Sequence, residues 1–192
     1  MSVLVNQAIA ASGLSGLVSA RAHADRAAIE SFRSALGRAD LLALGALADQ
    51  VRASEVGDAV RIHTEAGHSL PTVDAMSDDF GLAFLRRVAI ERLLGEHAAP
   101  VRVDWVRVGI EIAQVALAFG ANELVGAFVT KRGLPIADGA MSGTGKKSER
   151  IAMVDAKKQE LAKLVQRCGR RAVFVGVRQE VTDSTRALEQ QA

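Results

Sequence analysis

The chain has 192 residues, 49% hydrophobic and 24% charged, with a formal net charge of +2. That length provides one domain with a real core, and a balanced charge with only six Phe and one Trp excludes a dedicated nucleic-acid surface. One cysteine, Cys168, excludes an internal disulfide and a thiolate-built zinc or iron–sulfur site, so no metal and no cofactor are expected. Met1 to Gly13 lacks a basic leader region, and no apolar run approaches the roughly 20 residues of a membrane span. The expected compartment is the cytoplasm, and no membrane partner is implied.

Met1 to Leu36 reads as helical, broken early by Gly13 and Gly16, with a helix from Leu17 that ends at Gly37. Asp40 is a plausible N-cap for the next helix, which carries Leu41, Leu44, Leu47, Ala48 and Val51 on one face and closes at Gly57-Asp58. Val60 to Thr64 reads as a short strand with Val60 and Ile62 facing one way and Arg61 and His63 the other. Glu65 to Asp79 reads as a loop, and Gly81 to about Glu96 as a helix with Leu82, Leu85, Val88, Ala89, Arg92 and Leu93 in register.

Pro100 precedes a strand Val101–Val106, a helix Val108–Phe119 and a strand Glu123–Val129, together a βαβ unit. Lys131 to Lys147 is a Gly-rich connection, Glu149 to Arg167 a long helix capped by Gly169, and Ala172 to Val177 a β-branched final strand. Alternating strands and helices imply an α/β domain with a small, mostly parallel sheet, and the chain is too short for a complete eight-stranded barrel of about 250 residues. The expected boundaries are a helical segment 1–56, an α/β domain 57–180 and a tail 181–192.

The segment Trp105-x-x-x-Gly109 followed by Ala113-Gln114-x-Ala116-Leu117-x-Phe119-Gly120-Ala121-Asn122 resembles the C-terminal part of the futalosine-pathway radical-SAM enzymes of menaquinone synthesis. That family comprises aminofutalosine synthase, dehypoxanthine futalosine cyclase and the related deazaflavin synthase. Asp40 to Asp49, Gly81 to Leu94 and Leu161 to Arg170 resemble further segments of the same family, in the same order. The resemblance implies an incomplete, β/α-barrel-like domain, while abundant Ala and Arg with few Lys point to a GC-rich bacterial genome. After Thr64, where the family continues into a three-cysteine cluster loop, this chain has Glu65-Ala66-Gly67-His68-Ser69-Leu70-Pro71. Without three thiolates there is no cluster site, and radical cleavage of S-adenosylmethionine is not expected.

Four residues are candidates for a ligand site: His63, Asp104, Asn122 and Glu123. Gly120-Ala121-Asn122-Glu123 is a helix-to-strand turn, which also has a purely structural reading as cap and turn former. The resemblance directs Glu123 toward the barrel interior. Asp104, if it faced inward unpaired, would be costly to bury and so a functional hint, with Trp105 on the opposite side as a core anchor. His63 and His68 lack a third ligand at convincing spacing for a metal. Gly139 to Ser148 departs from a phosphate loop: Ala140 stands at the first glycine position and Lys147 where Ser or Thr is required.

Two functional readings follow. One is a non-catalytic binding or accessory protein whose incomplete sheet is covered by a second copy or a partner subunit. The other is a small enzyme using Glu123 and His63 as an acid–base pair in a remnant nucleoside or quinone-precursor pocket.

Overall fold

The computed structural model describes residues 3–64, 70–74, 81–128 and 146–175, those of 146–155 by backbone alone. The stretch 131–145, His68 and the segment 181–192 lie outside the described residues.

The N-terminal region is four short helices where the sequence pattern suggests two: α1 (Val3–Ala11), α2 (Leu17–Ala22), α3 (Arg26–Ser31) and α4 (Arg33–Arg38). Local chemistry explains the division. Ala24 turns the chain with a φ of 52°, and the Asp25 carboxylate accepts from the Ala28 N–H at 3.0 Å, which restarts the helix as an N-cap. Asp40 acts as expected, accepting from the Ala43 N–H at 2.9 Å and opening α5 (Leu41–Val56), which runs to Gly57. Ile9, Leu14 and Leu17 belong to the same core as Leu44, Ile62 and Leu124, so the helical segment is part of the domain's packing.

Four parallel strands follow in the order β2-β3-β1-β4: β1 (Ala59–His63), β2 (Arg102–Asp104), β3 (Glu123–Val125) and β4 (Arg171–Val175). Register pairs Arg61 with both Glu123 and Val173, and Arg102 with Glu123. Period-two alternation then separates two faces. Val60, Ile62, Val103 and Leu124, at most 1% exposed, form one; Arg61, His63, Arg102, Asp104 and Glu123 belong to the other.

The apolar face shares its core with α5, α6 (Leu82–Leu94) and α8 (Ile110–Leu117). Phe174, in register with Ile62, carries the Lys158 ammonium 5.6 Å over its ring, which puts α9 (Lys146–Arg167) on that face too. The sheet is therefore apolar where helices cover it and charged on its reverse. No described helix is long and apolar enough to cross a membrane.

Two elements differ from expectation around residue 104. The strand expected over 101–106 stops at Asp104, whose carboxylate accepts from the N–H groups of Val106 at 2.8 Å and Arg107 at 3.3 Å. This cap opens α7 (Trp105–Val108), a single turn, so Trp105 leads a helix and does not alternate with Asp104 on a strand. Its ring nevertheless packs at the edge of the core, 6.2 Å from that of Phe128. Glycine at position 120 is required twice over: its φ is +95°, and a Cβ there would lie 2.9 Å from the Arg92 Cβ and Cγ.

Candidate functional site

Glu123 begins β3 and is flanked on both sides by arginines, because Arg61 of β1 and Arg102 of β2 share its row. Its Oε2 accepts from Arg102 Nε at 2.7 Å and from His63 Nε2 at 3.0 Å, and Arg61 Nε stands 3.7 Å from Oε1. His63, two residues beyond Arg61, projects from the same face of β1. Glu123 and Arg102 are the first residues of β3 and β2 and Arg61 is the middle residue of β1, so of the four side chains His63 alone comes from the carboxyl end of its strand.

Burial alone would raise the Glu123 carboxyl, but the His63 hydrogen bond and the Arg102 charge outweigh it and hold the group below its ordinary range. Glu123 is thus ionised at neutral pH. A carboxylate can only accept, so His63 Nε2 carries the proton between them. The arrangement fixes the imidazole's orientation and surrounds one carboxylate with two guanidiniums. Arg102 gives Glu123 its Nε, and its side chain is 19% exposed while Glu123 is 5% exposed.

The other two candidates are used elsewhere. Asn122 is buried, but its Oδ1 accepts from Arg92 Nη2 at 2.6 Å and from the Val101 N–H at 2.8 Å, so it belongs to the helical side of the sheet. Asp104 shares the charged face, in register with Val125, yet its carboxylate is the α7 cap. Of the four sequence candidates, the fold joins His63 to Glu123 directly and commits Asn122 and Asp104 to backbone and helix contacts. Among the described residues, no three His, Cys, Asp or Glu side chains are grouped to hold a metal ion.

Sequence reasoning missed the two arginines of the site. The signal was present as alternation: Arg61-x-His63 and Arg102-x-Asp104 each put two polar side chains on one face of a strand. What could not be read was that the third strand sits between these two.

A second cluster, also unforeseen, ties the N-terminal helices to the sheet. Arg21 grips Glu55 through two bonds of 2.7 and 3.0 Å and donates to the backbone oxygens of Leu93, Gly95 and Glu96 at 2.9, 3.0 and 3.2 Å. Arg92, 1% exposed, donates to Gly120 O at 3.0 Å, Ala99 O at 2.8 Å and Asn122. Burial lowers Arg92 to about 10, against the opposing pull of Glu55. It is still charged at neutral pH. Burial would raise Glu55, but the Arg21 hydrogen bond and the Ala98 N–H lower it overall.

Compared with protein families, curated proteins and solved structures, the chain matches none.

Proposed function

We propose that this chain is a non-catalytic binding or accessory protein, a cluster-less derivative of the radical-SAM menaquinone-pathway enzymes it resembles, and that it holds a small anionic ligand on the charged face of its sheet. The observation that carries the ligand site is the Arg61–Glu123–Arg102 row with His63 beside it: two guanidiniums meet one carboxylate, and Arg102 is in part open to solvent. Arginine suits such a role because its planar fork matches carboxylate and phosphate groups.

The strand order agrees with the lineage in part: β2 and β3 run up against the first strand β1, as the last strands of a closed β/α barrel meet its first, whereas β4, the last in the chain, lies on the far side of β1, where such a barrel has its second strand. The helices share the face that would be a barrel's outside, and the charges occupy the face that would be its inside. With four strands among the described residues and β2 and β4 at the ends of their order, a second copy or partner subunit completes the assembly in this reading. Light scattering at micromolar concentration should then report a dimer or larger species; a monodisperse monomer would oppose that part of it.

The ligand site is tested by titrating the protein with benzoate and with inorganic phosphate while following the His63 ring and Arg102 Nε signals by NMR. Saturable shifts with at least one anion are expected, absent in Arg102→Gln. Signals that move with neither anion would refute the site. Anaerobic reconstitution with iron and sulfide should give no cluster absorption and no 5′-deoxyadenosine, since Cys168 is the single thiolate source.

The 3.0 Å His63–Glu123 bond favours a second reading, a small acid–base enzyme, because a carboxylate that fixes an imidazole is how a general base is oriented. Glu123, held ionised, would orient His63 and not act as an acid. Turnover of a bound ligand by the isolated protein, abolished in His63→Gln, would favour this reading over the binding protein.

A further inference from the structure

Trp105 is the single tryptophan of the chain and borders a cleft that neither charged cluster uses. The cleft holds about 440 Å³ and is bounded by Trp105, Phe128, Leu161, Leu164, Lys157 and Glu160. That volume is within the range of small-molecule sites, which are mostly apolar with a few placed polar groups. Trp105 follows β2 directly and Phe128 lies shortly after β3, so the cleft opens beyond the carboxyl ends of these strands.

Its aromatic wall is held in place. A Cβ at Gly126 would lie 2.5 Å from the indole, so glycine admits the ring there, and the Asp104 cap secures the backbone of α7. The indole and the Phe128 ring are tilted by 39°, giving a ligand ring an angled aromatic surface on which to pack. From α9 the cleft receives buried Leu161, half-buried Leu164 and Lys157, and exposed Glu160. Those last two are three residues apart, neighbours on one helix face. A simple anion at that edge would meet Glu160 as well as Lys157, and a simple cation the reverse. A ligand bearing both charges side by side complements both.

We propose that this cleft binds an aromatic α-amino acid, with its ring against Trp105 and Phe128, its carboxylate toward Lys157 and its ammonium toward Glu160. The site is separate from the charged face of the sheet and stands or falls independently of the function proposed above.

The chain has one Trp and no Tyr, so red-edge excitation reads this cleft alone, and phenylalanine does not absorb there. Trp105 emission should change saturably with L-phenylalanine in the millimolar range. 3-Phenylpropanoate and phenethylamine, each lacking one charge, should bind about fivefold more weakly, the scale of one solvent-exposed ion pair. Lys157→Gln should weaken L-phenylalanine and phenylpropanoate but not phenethylamine, and Glu160→Gln should do the mirror image. No saturable response in the unmodified protein, equal binding of the three probes, or indifference to both α9 substitutions would each overturn the proposal. So would loss of the response in Arg102→Gln with both α9 variants responding normally, since that would assign it to the sheet's charged face.

Discussion

Glu55 and Glu123 are each held by two arginines and a histidine, yet the two clusters are wired differently. Around Glu55, Arg21 and Arg92 spend their remaining donors on carbonyl oxygens of Leu93, Gly95, Glu96, Ala99 and Gly120 and on Asn122. His97, 3.5 Å away and 65% exposed, is a peripheral member. Around Glu123, Arg102 reaches the carboxylate through Nε and remains partly exposed, and His63 is a buried member. The first cluster closes helix ends and the β3 turn upon one another. The second lies on the charged face of the sheet, among side chains of three neighbouring strands. The same residue types thus make a scaffold in one place and a candidate site in the other, and the partners of the arginines decide which.

The largest effect should come from the scaffold. Glu55→Gln leaves Arg21 and Arg92 buried without their carboxylate, and such a loss costs about 3–5 kcal/mol. Urea unfolding should show the midpoint collapse; a change under about 1 kcal/mol would mean that the backbone oxygens alone satisfy both arginines. Gly120→Val should follow, at about 3 kcal/mol, since it combines a disfavoured φ with a clash against the Arg92 side chain. A stable Gly120→Val protein would show that Arg92 is free to move.

Glu123→Gln should be milder, at about 2 kcal/mol, because Arg102 and Arg61 retain access to water. A loss matching that of Glu55→Gln would dissolve the contrast between the clusters. Both carboxyls titrate below their ordinary range in the folded protein. The sign follows: their stabilisation is complete above the unfolded value of about 4.3 and is lost as pH falls through the lower, folded values. Stability measured against pH should fall steeply on the acid side, less steeply in Glu123→Gln, and an unchanged slope in that variant would remove Glu123 from the linkage.

The smallest effect is expected for Asp104→Ala, about 1 kcal/mol for a lost helix cap, with anion binding intact. Loss of binding with stability preserved would return Asp104 to the site.

Much of this contrast was invisible along the chain. The helix after Asp40, the strand bearing His63 and the βαβ succession were legible because burial imposes a period on nearby residues and caps have a local chemistry. The His63–Glu123 pair could be named as chemistry, but its geometry depends on β3 lying between β1 and β2, an order set by tertiary packing. Asn122 looked like a site residue for its place in the turn, yet Arg92, distant in sequence, claims its side-chain oxygen. Asp104 looked like a strand residue because nothing before it marks a helix start, and its own carboxylate makes one. Buried arginines are hardest to read: Arg92 fits the helical stripe as though it were apolar, and only its partners reveal why.

The central claim is that the Glu55 cluster is scaffold and the Glu123 cluster is site, and Arg102→Gln set beside Arg92→Gln tests it most directly. Benzoate and phosphate binding by calorimetry and urea stability would be measured on both variants. The account predicts that Arg102→Gln stays within about 1 kcal/mol of the parent protein and loses anion binding, whereas Arg92→Gln loses about 3 kcal/mol or more. Arg102→Gln that binds both anions like the parent, or that unfolds as readily as Arg92→Gln, would contradict it.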